Sequence, residues 1–189
     1  MEKIAVMVAP GFEEGETLTI IDILRRAGYT CESVGFTELV TGGHQITMKC
    51  DKVLGDSLQE YQMIVLPGGY EGATALRDND HFIQLLQVAS RSNKWIAAMC
   101  AAPIVLDKAG VLENKSYTAY LNYDKKINAG NYKENIVVID GKLITSRGPA
   151  TAYAFSYALI DVLGGDSQKV KERMVYFNSF EEKQEALYV

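Results

Sequence analysis

Alternation is the feature that most narrows what this chain can fold into: short apolar runs and helical periodicities follow one another along most of its length. Ile4–Ala9, Thr30–Phe36, Met63–Leu66, Lys94–Met99 and a weaker Tyr117–Leu121 read as strands. Helical spacing marks Thr17–Ala27, Phe82–Ser90, Ala101–Lys108, Ala150–Leu163 and part of Ser167–Val175. Strand–helix alternation predicts an α/β fold, a doubly wound and mostly parallel sheet with helices on both faces. Lys94–Met99, short and apolar between polar flanks, has the pattern of a central parallel strand. Ile136–Asp140 and Lys142–Ser146, joined through Asp140-Gly141, read as a hairpin, and Ile46–Val53 as a further small strand. There is no internal repeat, low-complexity tract or Pro/Ser-rich linker, so one domain over residues 1–189 is expected. The docking of the tail from Tyr176 to Val189, a mix of aromatic and acidic residues, is not legible.

Composition removes several classes of function. Hydrophobic residues make up 48% and charged residues 23%, as in ordinary globular proteins. A net charge of −5 gives no electrostatic reason to expect nucleic acid or an anionic membrane surface as partner. No apolar run approaches the ~20 residues that cross a bilayer. Met1-Glu-Lys leads directly into Ile4–Ala9 and leaves no room for a signal peptide. Three cysteines, Cys31, Cys50 and Cys100, show neither metal-ligand spacing nor a C-x-x-C pair. A cytoplasmic protein with free thiols is expected. His44 and His81 are too few and too far apart for a histidine metal site, so no metal is expected.

In open parallel sheets, ligands collect at the carboxyl ends of the strands. Three stretches fall there: Pro10-Gly-Phe-Glu-Glu-Gly-Glu16, Pro67-Gly-Gly-Tyr-Glu-Gly-Ala73 and the turn at Cys100. Cys100 lies where a strand becomes a helix, with Pro103 tolerated in the first turn. Its sulfur would meet unpaired backbone N–H groups and the positive end of a helix dipole, which favour thiolate. The plainer alternative is a small buried hydrophobe. Cys31 reads as strand core, and Cys50 as near a sheet edge or the surface. Glu16 shares a helical stripe with Ile20, Ile23 and Ala27, opposite Asp22, Arg25 and Arg26. Desolvation would raise its pKa and let it hydrogen-bond a thiolate. Alternatively Glu13, Glu14 and Glu16 are first-turn acids that suit the helix dipole, and Glu13 also projects inward if the helix starts early. Gly69 and Ala101 N–H groups could form an oxyanion-type donor pair. His81 reads as solvated beside Asp80, and His44, in the turn Thr41-Gly-Gly-His, could reach a site only from a loop or a second subunit. A standard Cys–His hydrolase is therefore not expected.

Four ordered motifs carry a resemblance: Ala9-Pro-Gly-Phe-Glu-Glu-Gly-Glu-Thr17, Val65-Leu-Pro-Gly-Gly69, Ala97-Ala-Met-Cys-Ala-Ala-Pro103 and Leu143-Ile-Thr-Ser-Arg-Gly-Pro149. From Lys3 to Leu163 the chain resembles the DJ-one/PfpI (ThiJ) superfamily, in its DJ-one-like branch. The resemblance implies a flavodoxin-like sandwich of the class I glutamine amidotransferase type, usually a homodimer. It places the reactive elbow cysteine on Cys100, its protonated glutamate on Glu16, and the backbone donors on Gly69 and Ala101. Two departures matter. PfpI-type proteases carry a histidine where this chain has Ala101, and DJ-one carries one in the segment Tyr117-Thr-Ala-Tyr120, at Ala119. Tyr120 and His44 remain as accessory groups; the Gly43-His44 turn matches where relatives bring a basic side chain across the dimer interface. The implied activity is a glyoxalase or deglycase, without cofactor, acting on methylglyoxal, glyoxal or their adducts with protein or nucleotide. The alternatives are an oxidative-stress sensor or chaperone with Cys100 oxidised to sulfinate, and a structural dimer with an inert Cys100.

Overall fold

The computed structural model describes residues 3–176; the tail beyond Tyr176 lies outside the described residues. Seven strands form one sheet: β1 (Lys3–Val8), β2 (Thr30–Gly35), β5 (Lys52–Val53), β6 (Met63–Leu66), β7 (Trp95–Met99), β10 (Val137–Asp140) and β11 (Leu143–Ser146). Their order is β10-β11-β7-β6-β1-β2-β5, and every neighbouring pair is parallel except β10 with β11. Two small ribbons lie apart from this sheet: β3 (Leu39–Thr41) with β4 (Thr47–Lys49), antiparallel, and β8 (Ser116–Tyr117) with β9 (Asn131–Tyr132), parallel. The helices are α1 (Glu14–Arg26), α2 (Tyr70–Arg77), α3 (Asp80–Arg91), α4 (Pro103–Lys108), α5 (Ala152–Val162) and α6 (Ser167–Arg173).

The chain leaves β1 toward β2 on one side and returns to add β6 and β7 on the other. Right-handed crossovers running in opposite directions put their helices on opposite faces of the sheet. The packing follows this rule: α1 lies against α5, while α2 packs on α3 and α4. Covered on both faces, the central strands can be apolar throughout, and all four residues of β6 are buried. The reversal between β1 and β6 opens a crevice at their carboxyl ends, where the loops after β1, β6 and β7 meet.

Several local expectations need correction. The apolar run Tyr117–Leu121 is not a strand of the main sheet; only Ser116–Tyr117 is extended, in the ribbon with β9. Beyond it, Thr118 N–H donates to Thr145 Oγ1 at 2.8 Å and Tyr120 N–H to the Cys100 carbonyl at 2.9 Å, so Ala119 is buried without joining a ladder. Burial alone gave that run its strand-like look. Helix α1 starts at Glu14 rather than Thr17, because the Glu13 side chain accepts from Glu16 N–H at 2.5 Å and caps it. Helix α2, only eight residues long, is too short for its periodicity to be read. Regular helix after Cys100 begins at Pro103, two residues later than expected. Ile46–Val53 splits into β4 and β5, which pair with different partners. Cys50 is buried against Val8, Phe12 and Val40 rather than lying at the surface. The hairpin through Gly141 and the buried position of Cys31 are as expected.

Candidate active site

The elbow is built by a backbone that turns left. Cys100 has φ of 59°, a conformation side chains other than glycine's rarely take, and it costs about 1–2 kcal/mol. Hydrogen bonds hold it there: its N–H donates to Ser146 O at 3.1 Å and its carbonyl accepts from Tyr120. The bend presents the sulfur at the crevice, on a residue only 8% exposed, where the N–H groups of Gly69 and Ala101 favour its thiolate. Gly68 admits no side chain, since a Cβ there would lie 2.5 Å from Cys100 Cβ and 3.0 Å from the sulfur. Gly69 adopts φ of 94°, and a Cβ there would lie 2.3 Å from Gly11 O, so only glycine fits.

Glu16 comes up from α1 beneath the sulfur and is completely buried, on the same inward stripe as Ile20 and Ile23. One oxygen, Oε2, accepts from Gly68 N–H at 2.7 Å. The other, Oε1, is buried with no hydrogen-bond partner. Burial raises the carboxyl pKa from 4.5 to about 7, against the lowering pull of hydrogen bonds from Cys100 and Gly68 N–H. Burial also pushes the Cys100 thiol up, and the charge of an ionised Glu16 pushes it further; the Gly69 and Ala101 N–H groups oppose this. Desolvation opposes the donors, and regular helix does not begin until Pro103. Two acids that oppose each other's ionisation titrate as a unit. Above about 7 the pair holds one proton and one negative charge. Thiolate forms when that proton sits on Glu16, where a protonated Oε1 gains a use for its unmatched hydrogen-bonding capacity.

Above the sulfur opens a cleft of about 450 Å³ whose walls include Gly11, Glu13, His44, Tyr70, Tyr120 and Tyr123. Tyr120 lies edge-on to Tyr123, with ring centres 6.1 Å apart, and Lys126 sits 4.2 Å from the Tyr123 ring centre. All six residues singled out in the sequence, Cys100, Glu16, Gly69, Ala101, Tyr120 and His44, therefore come together at one crevice. His81 does not; it contacts Gly55 O at 3.1 Å, away from the cleft. Tyr70, Tyr123 and Lys126 were not singled out, because short turns after strands carry no periodic signal. Glu14 was passed over as a first-turn acid, yet it is buried and bonded to the His44 turn. Among the described residues, Glu13, Glu14 and His44 bring ligand atoms within 4.8 Å of one another. Glu13 Oε2 already caps α1, and both Glu14 oxygens bind the His44 turn, so these groups satisfy one another without an ion.

Fold and site together define an α/β sandwich protein with a cysteine at a strained strand-to-helix elbow. The DJ-1/PfpI family profile matches residues 2–162, and the chain belongs to that family. It is 37% identical to Protein dj-1beta of Drosophila melanogaster, over 88% of this chain and 91% of that one. The crystal structure of Drosophila melanogaster DJ-1beta superposes with a TM-score of 0.87 at 35% identity, covering 92% of this chain and 97% of that one. Protein DJ-1 homolog B of Arabidopsis thaliana is 34% identical over 86% of this chain, which spans only 38% of that relative's length. The putative cysteine protease YraA of Bacillus subtilis is 31% identical, over 86% of this chain and 98% of that one.

Proposed function

We propose that this protein is a cofactor-independent glyoxalase or deglycase, in which Cys100 attacks the aldehyde carbon of a 1,2-dicarbonyl such as methylglyoxal or glyoxal, or of an adduct of one. The observation that carries this reading is the sulfur's placement at the floor of an open cleft, between two backbone donors and a carboxyl poised near neutrality. In the pair's thiolate form, sulfur bonds to the aldehyde carbon and the carbonyl π electrons move to oxygen. The N–H groups of Gly69 and Ala101, which favour the thiolate, would stabilise that oxyanion as it develops. Glu16, holding the pair's proton, returns it to give a neutral hemithioacetal. Moving hydrogen from the first carbon to the second then yields a thioester, which water hydrolyses to a 2-hydroxy acid and free Cys100. Substrate plus water equals product, so no redox partner is needed.

Ala101 follows the cysteine and Ala119 is buried behind it, so neither position offers the imidazole a peptidase would need. Lactate release from methylglyoxal tests the reading: wild type should turn over, and Cys100→Ser should lose activity by several orders of magnitude. Unchanged turnover in Cys100→Ser would refute it. A second reading, a non-catalytic oxidation sensor, is favoured by the unpartnered Glu16 Oε1, which could donate to a sulfinate oxygen once protonated. Mass spectrometry after mild peroxide separates the two; oxidation spread evenly over Cys31, Cys50 and Cys100 would eliminate the sensor.

A further inference from the structure

The proposed turnover needs a group that takes hydrogen from carbon, and the elbow pair is already engaged in forming the hemithioacetal. The sulfur is itself bonded to that carbon, and the Glu16 carboxyl lies below it, anchored on Gly68 N–H. The base must stand on the wall of the cleft, reach solvent and be held in one orientation. His44 meets these requirements. Its side chain is 74% exposed and lines the same cleft as Cys100. Its Nδ1 lies 2.9 Å from Glu14 Oε2, and its backbone N–H donates to Glu14 Oε1 at 2.7 Å.

The Glu14 carboxylate is buried to 4% exposure at the start of α1, with both oxygens directed at one turn. The turn is pinned on its other side too. Gly11 N–H donates to Thr41 O, and Gly43 N–H donates to Phe12 O, each at 2.9 Å. Gly42 leaves no space for a side chain against Glu14. The loop after β1 thus carries the histidine turn on one side and packs against Gly69 on the other. A hydrogen bond from Nδ1–H to Glu14 fixes the tautomer and leaves Nε2 as the free acceptor, the logic of a base oriented by a buried acid.

We propose that His44 is the general base and acid that carries hydrogen between the two carbons of the Cys100-bound dicarbonyl, with Glu14 as its positioning residue. The inference rests on the glyoxalase reading above. His44 Nε2 takes the hydrogen of the sulfur-bearing carbon as a proton. The C–H electron pair becomes the carbon–carbon double bond, and the second carbonyl's π pair moves to its oxygen. Nε2–H then protonates the second carbon, and the hydrogen on the first oxygen passes to the second oxygen as the thioester forms. The imidazole ends as it began.

Glu14 raises the His44 pKa by its hydrogen bond first and its charge second, with a smaller push from Glu13. Glu71 and Lys126, of opposite charge, line the cleft with it. The base is therefore neutral only above a raised pKa, and removing the Glu14 charge should let it work at lower pH.

The experiment compares methylglyoxal turnover in wild type, His44→Ala and Glu14→Gln, alongside iodoacetamide labelling of Cys100 and thermal unfolding. His44→Ala should lower kcat by about 10²-fold or more, keep native unfolding and Cys100 labelling, and regain activity when imidazole is added. Glu14→Gln should lower kcat more than it changes KM and move the acid limb of the kcat profile to lower pH. Turnover in His44→Ala within about threefold of wild type would overturn the proposal alone. So would a loss that imidazole does not relieve while fold and labelling stay native. A wild type that forms no lactate would overturn the functional reading and this proposal with it.

Discussion

Glu16→Gln should stabilise the protein strongly at pH 8 and much less at pH 5. In the folded state burial raises this carboxyl from 4.5 to about 7, with Glu13 adding a smaller push. Between those values the native state keeps a proton that the unfolded chain has released. Wild-type stability therefore falls as pH rises from 4.5 through about 7 and levels off above it. At ~1.4 kcal/mol per pKa unit, the loss comes to roughly 3 kcal/mol. The amide cannot ionise, and its oxygen can still accept from Gly68 N–H, so the variant escapes that loss. Urea unfolding of reduced protein at the two pH values measures the difference directly. Any pH-independent effect of the substitution appears at pH 5 and subtracts out. The expected gain at pH 8 is about 2–3 kcal/mol, or roughly 5–10 °C in Tm for a chain of this size. An equal offset at both pH values would refute the reasoning, because the buried group would then not change charge over that range.

The remaining predictions test the framework around the sulfur. Gly68→Ala puts a methyl group against Cys100 and Glu16, so it should cost about 1–3 kcal/mol in unfolding experiments and lower the rate of Cys100 labelling. Thiol selectivity should be sharp. Burial raises all three thiols, so access decides: only Cys100 lines the cleft, while Cys31 and Cys50 are packed in the core. Native protein at pH 8 should therefore take up one iodoacetamide, at Cys100 by peptide mapping, and labelling at all three sites would contradict the placement.

Much of this was legible in the sequence for a physical reason. Strands covered on both faces must be apolar throughout, so Ile4–Ala9, Met63–Leu66 and Lys94–Met99 stand out, and their order implies where the crevice opens. Glu16 could be placed inward because it shares a stripe with Ile20 and Ile23, although the same wheel also admitted Glu13. The structure separates the two: Glu13 caps the helix while Glu16 lies under the sulfur. What could not be read depends on contacts distant in sequence. Tyr117–Leu121 looked like a strand because tertiary packing buries Tyr117 and Ala119. The role of Glu14 depends on a turn thirty residues away. At Cys100 local sequence shows the donors and hides the desolvation that opposes them.

The central claim is that Cys100 and Glu16 share a single proton near neutral pH, and the pH dependence of Cys100 alkylation in wild type and Glu16→Gln tests it most directly. In wild type the limb should have its midpoint near the value of about 7 at which the pair loses its first proton. In Glu16→Gln only the buried thiol can ionise, and the midpoint should move above the ordinary thiol value of 9.0. Coincident midpoints in the two proteins, or a wild type that reacts only well above 9.0, would contradict the account.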